Sequence, residues 1–241
     1  EAFAHEIQMS EIISTLMVDC PYDMYWYNKV VKGAASWGYH IGTAGSTAYM
    51  YNLTVYFTPV SAYQGTDPAD TEENVNKNYI DPEKASAASK AAKNAQDIVS
   101  ENTSKSDYEK LSAYSQKICD LVSYHSAAAK EDYVSVHGYG DPWQLIYVFD
   151  GNPDTNVVCE GYSKAFQYLC DLSSFRSDQI NCYTVTGTMN GGGHMWNIVR
   201  MEDGKNYLAD VTNCDGTKGD TISAGFPDKL FLAGVSGTVS T

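Results

Sequence analysis

Val157-Val158-Cys159-Glu160-Gly161-Tyr162-Ser163 is the stretch on which the fold of this chain turns. Two valines lead up to a cysteine, and from there apolar positions recur at helical spacing. Cys159, Tyr162, Phe166, Leu169 and Cys170 fall at i, i+3, i+7, i+10 and i+11, which puts them on one face of a helix. The spacing predicts a helix from about Val158 to Leu172 with that face inward and a thiol in its first turn. Unpaired amide N–H groups and the positive end of the helix dipole favour a thiolate at such a place. Gly161 suits a first turn that needs close backbone approach. Most lone cysteines are buried structural residues, so the partners of Cys159 decide how it is read.

Two later fragments supply partners, Gly193-His194-Met195-Trp196-Asn197 and Leu208-Ala209-Asp210-Val211-Thr212. Thiol, imidazole and carboxylate are the nucleophile, base and orienting group that acyl transfer needs. His5, His40, His125 and His137 sit in polar or loop contexts and read as surface residues. Among the acids, Asp203, Asp215 and Asp220 read as turn residues, which leaves Asp210. Between the two strands lies Glu202-Asp203-Gly204, and its loop length decides which faces align. A two-residue loop would send His194 and Asp210 to opposite faces. A three-residue loop with Gly204 in the left-handed region pairs Met201 with Lys205 and sets His194 diagonally beside Asp210. A triad therefore predicts the three-residue hairpin.

From Ser106 to about Leu232 these stretches resemble the transglutaminase-like superfamily of papain-type cysteine enzymes. The resemblance implies an α+β fold, with the nucleophile helix packed on an antiparallel β-sheet and an N-terminal helix plus β segment ahead of it. It implies Cys159, His194 and Asp210 as the catalytic residues, with Trp196 shielding the base. Tyr162 and Trp196 are the expected lining of the substrate cleft. The oxyanion donors would include the Cys159 amide and a group from the preceding loop, where Trp143 and Gln144 are candidates by position. The expected reaction is hydrolysis of a peptide or isopeptide amide through a thioester, with no cofactor and no metal. A protein-crosslinking transglutaminase is the close alternative, and a catalytically silent binding module of the same fold is another. The expected partner is a protein or peptide, cell-surface or cell-wall linked proteins included. Bacterial members of the superfamily are often extracellular, and the same location is expected here.

The remainder of the chain bounds these readings. Its 241 residues carry a net charge of −14, which argues against nucleic acid or an anionic membrane as partner. The longest apolar run, Leu145 to Phe149, is too short to span a bilayer. The start at Glu1 rather than Met is read as a mature or trimmed terminus, so the lack of a visible signal peptide does not argue for the cytoplasm. Six cysteines show no C-x-x-C spacing, which excludes zinc-ribbon and thioredoxin patterns. With Cys159 reserved for catalysis, they allow at most two disulfides. Gly42 to Ser46 lacks a P-loop lysine, Gly187 to Gly193 reads as a glycine-rich loop, and Asn213 to Asp220 misses calcium-loop spacing.

Three divisions are expected. Residues 1–65 hold a helix (about Ala4 to Val18) and a β-ribbon whose clearest strand is Thr47 to Pro59. Residues 66–105 hold a linker and an alanine-rich surface helix opening at Asp81-Pro82. Residues 106–241 form the catalytic core, opening on the capping box Ser106-Asp107-Tyr108-Glu109.

Overall fold

The computed structural model describes residues 7–29, 31–130, 145–215 and 230–234. Helix α1 spans Met9–Asp19 and closes at Cys20; Pro21 then opens the single turn α2, Pro21–Met24, as a residue with no N–H to satisfy can. Strands β1 (Ala35–Ala44) and β2 (Thr47–Phe57) form an antiparallel ribbon closed by Gly45-Ser46. Gly45 has φ +63, the left-handed first position that a two-residue hairpin turn favours. The clean alternation of β2 does not mark a buried face, because Tyr49, Tyr51, Leu53 and Tyr56 are all exposed. β1 escaped the sequence reading, its glycines and small residues giving little strand signal.

Helix α3 spans Pro82–Glu101, with Asp81 Oδ1 accepting the Glu83 amide at 2.9 Å. The alanine-rich surface expected here has one inward stripe, Ala91, Ala95 and Ile98. Helix α4 is Asp107–Leu121, and its capping box is complete: Ser106 accepts from the Glu109 amide while Glu109 accepts from the Ser106 amide. Leu111, Tyr114 and Ile118 are fully buried and Val122 nearly so, whereas Leu121 is only half-buried. The chain divides into two compact units, Glu1–Ser86 and Ala87–Thr241.

The second unit carries the mixed helix-and-sheet core. After α4, strand β3 (Ser123–Tyr124) runs parallel to β4 (Asn156–Val157), which delivers the chain to helix α5, Cys159–Asp171. Strands β5 (Asn181–Met189), β6 (Gly192–Arg200), β7 (Asn206–Ala209) and β8 (Phe231–Ala233) follow in that order in one antiparallel sheet. The single turn α6, Val211–Cys214, sits between β7 and β8. The glycine-rich stretch from Gly187 to Gly193 is not a loop. It is the tip of a hairpin pairing Met189 with Gly192, and Asn190 and Gly191 have φ 51 and 81. Two consecutive positive φ values at Asn-Gly make the tight turn whose twist matches the strands.

A polar seam locks α5 to the sheet. Cys182, Asn197, Val199 and Ala209 share one sheet face by register and are buried. From that face Asn197 Nδ2 donates to the Ser163 carbonyl at 3.0 Å, and Gln167 Oε1 accepts the Thr184 amide at 2.7 Å. Phe166 packs edge-on against Phe231 of β8, and both Phe166 and Leu169 are fully buried. Directional bonds along such a seam specify register as hydrophobic packing alone does not. Among the described residues no helix is long and apolar enough to cross a membrane.

Candidate active site

Cys159 is the first residue of α5. Val158, the residue before it, offers no side-chain cap, and the first intrahelical bond runs from the Gly161 amide to the Val158 carbonyl at 2.9 Å. A valine at this position leaves the first amides of the helix aimed forward rather than tied to a capping oxygen. The thiol is half-buried, while His194 and Asp210 are 8% and 0% exposed. Cys159 is thus the most accessible of the three.

The hairpin between β6 and β7 has the geometry that brings base and acid together. Asn197 pairs with Ala209 and Arg200 with Asn206; the Met201 amide bonds the Lys205 carbonyl at 3.0 Å and the Gly204 amide bonds the Met201 carbonyl at 2.9 Å. Gly204 has φ +74, so the loop is the three-residue form with a left-handed glycine. His194 Nε2 then lies 2.8 Å from Asp210 Oδ2. Nε2 is engaged by the carboxylate, and Cys159 lies close enough to the ring to favour its charged form. Burial works against a charged imidazole, but the bonds to Asp210 and Cys159 outweigh it and hold the His194 pKa up at about 9.

Two further groups complete the arrangement. Ser163 Oγ lies 2.9 Å from the Cys159 carbonyl and 2.8 Å from the Met195 carbonyl, so one hydroxyl ties the nucleophile's residue to the neighbour of the base. Trp196 stacks on the imidazole, ring centroids 5.7 Å apart at 21°. It has room to do so because Gly187, directly opposite His194, has no side chain; a Cβ there would stand 2.5 Å from the indole. Trp196 is half-buried and belongs to the site. Tyr162 does not line a cleft as expected. It is fully buried, its hydroxyl donates to Asp215 Oδ2 at 2.5 Å, and burial together with that bond pushes its pKa far up. The helix face that carries it points into the core. Asp215 is therefore a buried partner of α5 rather than a turn residue on the surface.

Trp143 and Gln144 lie outside the described residues. Tyr124 carries no motif that would single it out in the sequence. It is buried on β3 and its ring stacks on Tyr162; burial first, then the nearby charges of Cys159 and Asp210, raise its pKa to about 12. Asn213 was likewise missed; its side-chain amide donates to Asp210 Oδ2 at 2.6 Å. The signal available was local, an Asp-x-x-Asn pattern in which Asp caps the turn that Asn closes. None of the six cysteines forms a disulfide, and among the described residues no group of three His, Cys, Asp or Glu side chains is arranged to hold a metal ion.

Comparison with known proteins adds little. No family profile and no curated protein matches the chain. A solved structure described as that of a TGase aligns with 85% of this chain at 15% identity and a TM-score of 0.41, and the alignment covers 52% of that structure. The chain thus spans about half of that protein's length. A likeness of this size fixes no chemistry, and the functional reading rests on the three side chains themselves.

Proposed function

We propose that the chain is a cysteine-dependent acyl-transfer enzyme that hydrolyses peptide or isopeptide amides through a thioester. The observation that carries this reading is the His194–Asp210 bond at 2.8 Å beside Cys159, with Cys159 the most exposed of the three residues. In the proposed reaction the Cys159 sulfur attacks the amide carbonyl, and the developing oxyanion meets the forward-facing amide of Cys159. The imidazolium of His194 passes its proton to the leaving amine as the C–N bond breaks, giving a thioester and a free amine. Water then attacks the thioester, His194 takes its proton, and the carboxylic acid leaves as the thiol is restored. Asp210 holds the ring and balances its charge throughout. Trp196, stacked on the ring, limits water on that side and so preserves the ion pair. The substrate is taken to be a protein or peptide at or outside the cell surface, in line with the superfamily that the three sequence stretches resemble.

The test uses a glutamine- and lysine-containing peptide set read by mass spectrometry, with and without a primary amine, together with a thiol-directed probe. Wild type should cleave, and Cys159→Ala should fall to background. His194→Gln should lose about 10²–10⁴-fold. The probe should label Cys159 and spare Cys119 and Cys170, which are buried and whose thiols burial pushes up. Cleavage that persists in Cys159→Ala would overturn the mechanism. Efficient incorporation of the amine would replace hydrolysis by crosslinking, and absence of Cys159-dependent labelling would favour a binding module.

A further inference from the structure

We infer that Asn213 is a positioning residue for the base: its side-chain amide fixes the Asp210 carboxylate in the one orientation that presents Oδ2 to His194. The inference rests on the proposed function for its catalytic meaning, and on geometry for the rest. Asp210 is the N-cap of α6, and both of its oxygens are engaged by the same residue three positions on. The Asn213 backbone amide bonds Oδ1 at 3.2 Å and its Nδ2 bonds Oδ2 at 2.6 Å. The backbone bond alone is an ordinary cap, and it leaves the carboxylate free to swing about that single anchor. The side-chain bond adds the second point that removes this freedom.

The amide orientation follows from its neighbours. Turned the other way, the Asn213 carbonyl oxygen would stand against a carboxylate oxygen, which is repulsive; as it stands, Nδ2 also lies 3.3 Å from Met189 Sδ, a weak acceptor. Nδ2 is 3.5 Å from His194 Nε2. The amide and the imidazole thus converge on the same Oδ2 from adjacent directions, and neither can shift without moving the other. Asn213 is 2% exposed and Asp210 0%, so water has no route to replace a lost donor when the volume is kept filled. Bonds to a carboxylate are the strong class of protein hydrogen bond. An oriented second donor is also the usual way a protein fixes the direction of a functional carboxylate.

The groups facing the imidazole are Cys159 from α5, Asp210 from the β7–α6 junction and, next to both of these, Tyr124 from β3. Of these, Asp210 is the one whose direction Asn213 controls. If its carboxylate swings away, the imidazolium loses its bond at Nε2 and its protonation midpoint must fall from about 9 toward the ordinary histidine value.

The experiment is an NMR titration of the His194 ring in wild type, Asn213→Leu and Asn213→Ala, with His194→Gln to assign the signal. The midpoint in Asn213→Leu should drop by about one unit or more, alongside a loss of hydrolysis. Should Asn213→Leu not fold, Asn213→Ala reads the same midpoint. A purely structural role predicts a lower melting temperature with the midpoint unmoved, and that result would overturn the inference. The titration needs no substrate. A midpoint that drops while wild type cleaves nothing would sink the proposed hydrolase and leave Asn213 as the residue that positions the imidazole.

Discussion

His194 feels two opposed influences, and their balance sets a measurable pH dependence. Burial favours the neutral ring, whereas the bonds to Asp210 and Cys159 favour the charged one, and the latter win by enough to raise its pKa to about 9. A pKa raised in the folded state means that the native protein binds the proton more tightly than the unfolded chain. The stabilisation is then fully present below about pH 6.5, the unfolded value, and disappears as pH rises through about 9. Wild type should lose on the order of 3 kcal/mol across that window, and His194→Gln should show a flatter profile. Urea midpoints at pH 6, 7.5 and 9.5 would check this, and parallel slopes for the two proteins would refute it. In the proposed reaction the same proton passes to the leaving amine, so hydrolysis should decline over the same alkaline range.

At the scale of elements, the first turn of α5 sets two familiar effects against each other at Gly161. Glycine within a helix costs about 1 kcal/mol relative to alanine, so Gly161→Ala by itself should stabilise. The added Cβ would however stand 2.7 Å from Val157 Cβ, and Val157 is fully buried on β4 with nowhere to go. Overpacking of that kind costs about 1–3 kcal/mol. The prediction is a net loss of up to about 2 kcal/mol and slower labelling of Cys159, because β4 or the helix start must shift. A raised melting temperature with unchanged labelling would refute it. This contest also shows why some elements could be read from sequence and others could not. The bounds of α5 and the capping box at Ser106 depend on residues within a few positions of each other, and both were legible. The three-residue loop at Gly204 followed from requiring His194 and Asp210 on one face of β6 and β7, and not from its own residues. The burial of Tyr162 depends on Asp215, 53 residues away in the chain, and no local pattern reports it. The Asn190-Gly191 turn was legible in principle; glycines on both sides masked it, because glycine is rare in strands unless a neighbour such as Trp196 covers it.

For the whole molecule the decisive question is where the unit that carries the candidate site begins. Sequence pattern sets the alanine-rich helix apart from the core, since most of its positions are polar or small. In the structure the division between the two compact units falls within α3, after Ser86, and the rest of that helix belongs to the second unit. Asn94 Nδ2 donates to the Phe149 carbonyl at 2.7 Å, and Ala91, Ala95 and Ile98 are buried. Phe149 and Val148 are themselves core residues, each 1% exposed. Removing α3 would uncover the surface on which Ile98 and the two alanines lie, at a cost of about 3 kcal/mol by area. It would also leave the Phe149 carbonyl to find water in place of its partner. A domain's total stability is only about 5–15 kcal/mol, so this is a large share of the margin. A fragment of residues 82–241 should therefore unfold in one cooperative transition and keep Cys159 labelling at the full-length rate. A fragment of residues 106–241 contains all three candidate catalytic residues yet should be less stable by about 3 kcal/mol and label less specifically, with Cys119 or Cys170 becoming reactive. Denaturant melts of the two fragments, with labelled cysteines mapped by peptide mass, compare them directly. Equal stability in the two fragments would mean that α3 lies on the core without supporting it, and that the unit carrying the candidate site begins at the capping box of Ser106.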